Sequence, residues 1–214
     1  MMRKDIGPRA NCTNPPSLAV DAPVVDVRFA LERNSDMADR SAPPAQFERE
    51  RIAMVTDFGP NAAKDIAGIL NALLADTFAL FLKTKNFHWH VSGPHFRDYH
   101  LLFDEQATEI LAVTDEIAER VRKLGECTLR SIGDIARHQT LKDNDASHVH
   151  ALNMLAELRK DNQLFIASLR RAHHACSEHK DVASTSLIET YIDQAEKRAW
   201  FLYEASRSGE RSAQ

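Results

Sequence analysis

From Asn61 to Ser206, apolar residues return every three or four positions, in four runs broken by glycine, proline or polar stretches. That spacing puts them on one face of a helix, and no run of comparable length alternates with the two-residue period of a strand. The first run carries Ile66, Ile69, Leu70, Leu73, Leu74, Phe78 and Phe81 over residues 61–89 and stops at Gly93-Pro94. A second helix is predicted over 95–124, stopping at Gly125, a third over 149–177 and a fourth over 182–206. The last shows Leu187, Ile188, Tyr191, Ile192, Ala195, Ala199 and Leu202 on its face. Ser131 to Arg137 reads as a short helix inside the long middle connection. Helices of about 25–30 residues are about 37–45 Å long, and two short turns with one long crossover suit an all-α four-helix bundle.

Proline marks the other boundary. Six of the eight prolines precede residue 45, so residues 1–50 hold no long helix. The expected organisation is a flexible tail over 1–57, a helical domain over 58–206 and a short tail over 207–214. Met37 is an alternative start, because the polar lead-in that follows it is ordinary. The N-terminal residues lack the apolar core of a secretion signal, and the most apolar stretch, Leu70 to Leu82, is interrupted by Asp76 and short for a bilayer. Cys12, Cys127 and Cys176 are far apart and odd in number, so neither a disulfide framework nor a zinc ribbon is expected. These features predict a soluble, cytoplasmic protein with reduced thiols. No glycine-rich phosphate loop or nucleophile elbow is present.

Chemistry is concentrated between Lys85 and Arg120. His88 and Trp89 end the first helix, and the second carries His100/Asp104 and Asp115/Glu119, each pair four residues apart and so on one helix face. Imidazole nitrogen with carboxylate oxygen is a donor set for iron or manganese. Asp104 and Asp115 are eleven residues apart, which returns to within about 20° of the same stripe but advances about 16 Å along the axis. Metal–ligand bonds of about 2.0–2.6 Å cannot bridge that gap. Either each pair is a separate weak site, or a second chain brings its own copy across a two-fold interface. Taken singly, such a pair is usually a solvated face. The ordered combination next to a tryptophan is what singles this one out.

That combination resembles the Dps family, the DNA-protection-during-starvation proteins or mini-ferritins. The resemblance rests on His88-Trp89, His100, Asp104, Asp115 and Glu119 at matching intervals, on Ala118-Glu119-Arg120 and Lys123-Leu124-Gly125, and on Ala199-Trp200-Phe201-Leu202. It covers residues 58–206. It implies a ferritin-like bundle with a short extra helix between the second and third helices, and a hollow homo-oligomeric shell, a dodecamer. It further implies ferroxidase sites between two-fold-related chains, with His88, His100 and Asp104 from one and Asp115 and Glu119 from its mate. One or two irons would bind per site, and Fe(II) would be oxidised preferentially with hydrogen peroxide. Glu-x-x-His, the signature of an intra-bundle di-iron site, occurs nowhere in the chain. The resemblance makes Trp89 a candidate electron donor, with packing as the alternative. It puts Glu178 and Asp181 at an iron-entry pore, where a further acidic position of the family is Ser186 here.

Charge bears on DNA. The chain is net −4, and residues 1–51 hold eight basic and eight acidic side chains, Lys4 being the one lysine. Few counterions would be released on a phosphate backbone, so weak DNA binding is expected at ~150 mM salt. A tight gel shift at that salt would overturn this expectation and favour the alternative, a nucleoid-associated, DNA-compacting shell with secondary iron chemistry.

Overall fold

The structure is a computed structural model and describes residues 56–207. The expected 1–57 tail and Met37 therefore fall almost wholly outside the described residues, as do residues 208–214. Five helices follow: α1 (Pro60–His90), α2 (Phe96–Lys123), α3 (Ile132–His138), α4 (Ala151–Glu178) and α5 (Val182–Ser206). Each lies where the sequence periodicity predicts it, and no strand occurs among the described residues.

The ends are set by local chemistry. Pro60 takes the first turn of α1, where its missing N–H and fixed φ cost nothing. Gly93 (φ 113°) then reverses the chain into α2, a backbone region that favours glycine. At the end of α2, Gly125 has φ 81°, its N–H donates to the Arg122 carbonyl, and the Glu126 N–H donates to that of Val121. This pairing closes the last turn. Ser131 caps α3 and His150 caps α4. The tight turn between α4 and α5 is made the same way at Lys180 (φ 59°), with Asp181 capping α5 through the Ser184 N–H.

The helices form two antiparallel hairpins, α1 with α2 and α4 with α5, packed on each other chiefly through α1 and α4. Leu80, Phe87, Phe103, Ile110, Ile117, Leu158, Phe165 and Leu169 are buried between them. Each such side chain contributes about 1.5–3 kcal/mol on leaving water. By length and composition α1 is apolar enough to cross a bilayer, yet half of its most apolar window is buried inside the bundle. Asp76, which interrupts that run, is buried too. Its carboxylate accepts bonds from Thr140 N (2.5 Å), Thr140 Oγ1 (2.7 Å) and Leu141 N (3.0 Å) and so ties down the connection after α3.

Polar groups are buried between the helices too. Lys83 Nζ lies 2.8 Å from Asp161 Oδ2 and 3.2 Å from Glu157 Oε1. Burial pushes the Asp161 carboxyl above its ordinary value, against the hydrogen bond and charge of Lys83. Arg198 Nε donates to Asn162 Oδ1 (3.0 Å), and burial pulls the guanidinium down to about 10. Cys176 is buried and unpaired, its thiol pushed up to about 11 chiefly by burial, while Cys127 is exposed.

Candidate metal centre

The turn at Gly93-Pro94 brings the end of α1 against the start of α2, and with it His88 against His100. Their rings stack with centroids 3.8 Å apart and planes 23° apart. Each Nδ1 is bonded to the other residue's backbone carbonyl, His88 Nδ1 to His100 O at 2.8 Å and His100 Nδ1 to His88 O at 2.9 Å. A carbonyl only accepts, so Nδ1 is the donor in each bond, which in a neutral ring leaves the lone pair on Nε2. The reciprocal bonds thus select, in the neutral ring, the tautomer whose Nε2 is available as a donor to a metal. Phe96 packs on the outer side of His100, ring centroids 5.0 Å apart.

One turn beyond His100, Asp104 joins the pair: its Oδ1 lies 3.9 Å from His88 Nε2. The same oxygen accepts from Lys85 Nζ at 2.6 Å. That hydrogen bond, more than any other influence, holds the Asp104 carboxyl below the usual carboxylate range. Lys85 was not among the sequence candidates. Its signal was present, since it stands three residues before His88 and so shares its helix face.

Asp115 and Glu119 are exposed further along α2. Glu119 pairs with Lys123 at 3.2 Å. Helical rise keeps Asp115 about 16 Å and Glu119 about 22 Å from Asp104 within the chain. Among the described residues, no group of three or more His, Cys, Asp or Glu side chains in one chain converges on a common metal position. His88, His100 and Asp104 lie together where α1 meets α2, and Asp115 with Glu119 stand apart from them. Trp89, beside His88, is 59% exposed, so it does not pack inside its own chain.

The two pore candidates part company. Glu178 ends α4 and is exposed, with His174 Nδ1 3.7 Å away. Asp181 is 1% exposed. Its Oδ1 takes bonds from Arg120 Nη2 (2.6 Å) and Ser184 N (3.0 Å), and its Oδ2 one from Ser184 Oγ (2.5 Å). Burial alone would raise its pKa, but these bonds outweigh it and hold the carboxyl below the usual range. The expectation that Asp181 lines a pore is thus corrected: this carboxylate is spent inside the chain as a helix cap and ion-pair partner. Sequence position alone does not separate a capping aspartate from a lining one.

A family model described as a ferritin-like domain matches residues 67–211. A low temperature-induced protein of Nostoc is 33% identical over 138 residues, covering 64% of this chain and 77% of the relative. DNA protection during starvation protein 1 of Deinococcus radiodurans is 34% identical over 137 residues, covering 64% of this chain and 66% of the relative. Among solved structures, Dps from Thermosynechococcus elongatus superposes with a TM-score of 0.68 at 26% identity, covering 72% of this chain and 98% of that one. DpsC from Streptomyces coelicolor gives 0.69 at 26% identity, covering 74% and 92%.

Proposed function

The chain belongs to the ferritin-like family and, within it, to the Dps proteins, and on that premise we propose that it oxidises Fe(II), preferentially with hydrogen peroxide, at sites shared between two chains. Iron storage and protection of DNA are the family's general role, to which this reading adds the chemistry. The observation that carries it is the split donor set. His88, His100 and Asp104 are organised into a half-site, and the complementary carboxylates Asp115 and Glu119 stand on the same stripe out of reach. A two-fold axis across α2 brings each half-set to the other half-set of the mate, so one isologous interface completes two identical sites.

In this reading Fe(II) is the substrate. Each site collects two neutral nitrogens and three carboxylates, and the added negative charge favours the ferric product over the ferrous one. Two Fe(II) ions each give up one electron, the O–O bond of peroxide breaks, and with two protons two waters form. Because both electrons are delivered together, no hydroxyl radical is released. Ferric oxide collects within a homo-oligomeric shell in the cytoplasm, a dodecamer by the family's assembly. Glu178 remains the candidate for an entry pore. Trp89, exposed in the single chain, packs at the interface between chains, with electron donation as its second role.

Anaerobic loading with Fe(II) followed by peroxide tests the reaction. A fast rise in ferric absorbance at two Fe(II) per peroxide is expected, and a rise no faster than free iron would end the proposal. Lys85 refines it. Its ammonium competes with a metal ion for Asp104 Oδ1, so Lys85→Met should tighten Co(II) binding about threefold, the scale of a solvent-screened ion pair. Weaker binding in that variant would mean that Lys85 supports the ion instead of opposing it.

A further inference from the structure

We propose that Tyr191 and Ser184 of α5, with its cap Asp181, are positioning residues for the ligand pair Asp115 and Glu119, acting through the residue that follows each ligand on α2. The inference rests on the shared-site reading above and adds what aims the carboxylate half of that site.

Asp115 and Glu119 are exposed, so their place is set less by packing around them than by the rotation of α2 about its own axis. The residue after each ligand, about 100° further round the helix, is tied to α5. Tyr191 Oη donates to Glu116 Oε2 at 2.8 Å. Arg120 Nε donates to Ser184 Oγ at 2.8 Å, and Arg120 Nη2 to Asp181 Oδ1 at 2.6 Å. These partners are buried, Tyr191 at 3%, Asp181 at 1% and Ser184 at 0% exposure, so the anchors have little freedom. Two further bonds continue the antiparallel series toward the other end of α2. Lys197 Nζ donates to Glu109 Oε1 (3.0 Å), and Gln106 Nε2 donates to the Arg198 carbonyl (3.2 Å).

The lever is short and the tolerance small. A roll of about 10° moves a side-chain tip about 5–6 Å from the helix axis by about 1 Å. A 1 Å misplacement of a reacting group can cost about 100-fold in rate. The other half-site needs no such rungs, because the His88–His100 stack and its reciprocal backbone bonds hold it directly.

The test uses the assembled full chain with Tyr191→Phe, Ser184→Ala and Asp181→Asn. Asp76→Asn serves as a control, since Asp76 is an equally buried carboxylate that accepts three bonds outside this series. Three quantities are measured: Tm, the visible spectrum of Co(II) bound anaerobically, and kcat with KM for Fe(II) under peroxide. Tyr191→Phe and Ser184→Ala are expected to alter the Co(II) spectrum and lower kcat about three- to tenfold with smaller changes in KM, and Asp181→Asn about tenfold or more. Asp76→Asn should lose Tm yet keep the wild-type spectrum and kcat. A wild-type spectrum and kcat in both Tyr191→Phe and Ser184→Ala would overturn the proposal. So would kcat falling in step with Tm in all four variants. If His100→Ala also leaves the fast phase intact, the site assignment itself has failed. If His100→Ala slows it and Tyr191→Phe does not, only the positioning role has.

Discussion

His100→Ala slows the fast phase of Fe(II) oxidation by peroxide about 100-fold or more, and Asp115→Ala does the same although Asp115 lies about 22 Å from His100 along α2 of its own chain. The first variant removes an Nε2 donor and also the bond that holds the His88 backbone carbonyl, so His88 loses its stacking partner as well. The second removes a carboxylate that no His88–His100–Asp104 cluster in the same chain can reach. Stopped-flow ferric absorbance on each assembled variant checks the pair. Equal losses are what a single site built from both half-sets requires. A loss in His100→Ala with none in Asp115→Ala would leave the half-site acting alone.

Asp161→Ala destabilises the bundle by about 3 kcal/mol, because it strands the Lys83 ammonium between the hairpins. Glu157 at 3.2 Å remains, which keeps the loss at the lower end for a broken buried pair. The double variant Lys83→Met with Asp161→Leu should cost less than the single one, since it removes both desolvated charges together. The raised Asp161 pKa points the same way, burial already opposing the charge more than Lys83 supports it. Urea unfolding of the three proteins is the measurement. A double variant worse than Asp161→Ala would show instead that the ion pair is a net stabiliser.

Much of this molecule was legible in its residues, for identifiable reasons. Helical periodicity is local, so α1 to α5 were readable along with their stops, down to Gly93 and Gly125. The proposed donors stood out because ligand chemistry favours particular side chains at particular turns, here at the end of α1 and along α2. Side chains acting across elements were not. Asp76 looked like an interruption of an apolar run and proved to be the anchor of a distant connection. Asp181 looked like a pore acid and is a buried cap paired to Arg120. Lys85 is a common surface residue whose contact with Asp104 exists only once α1 and α2 fold together. A carboxylate reads the same in sequence whether it faces water, a helix end or an arginine; only tertiary placement separates the three.

The central claim is that neither chain holds the site alone, and co-assembly of two defective variants tests it most directly. His100→Ala and Asp115→Ala proteins are dissociated, mixed in equal amounts and reassembled, and the fast ferric phase is measured against each parent. In a mixed pair, one interface position combines both defects and the other combines an intact His88, His100 and Asp104 with an intact Asp115 and Glu119. Random pairing makes half the pairs mixed, so about a quarter of the wild-type fast-phase amplitude should return. Activity no higher than the parents' would contradict the account, because it would mean that each site is contained within one chain.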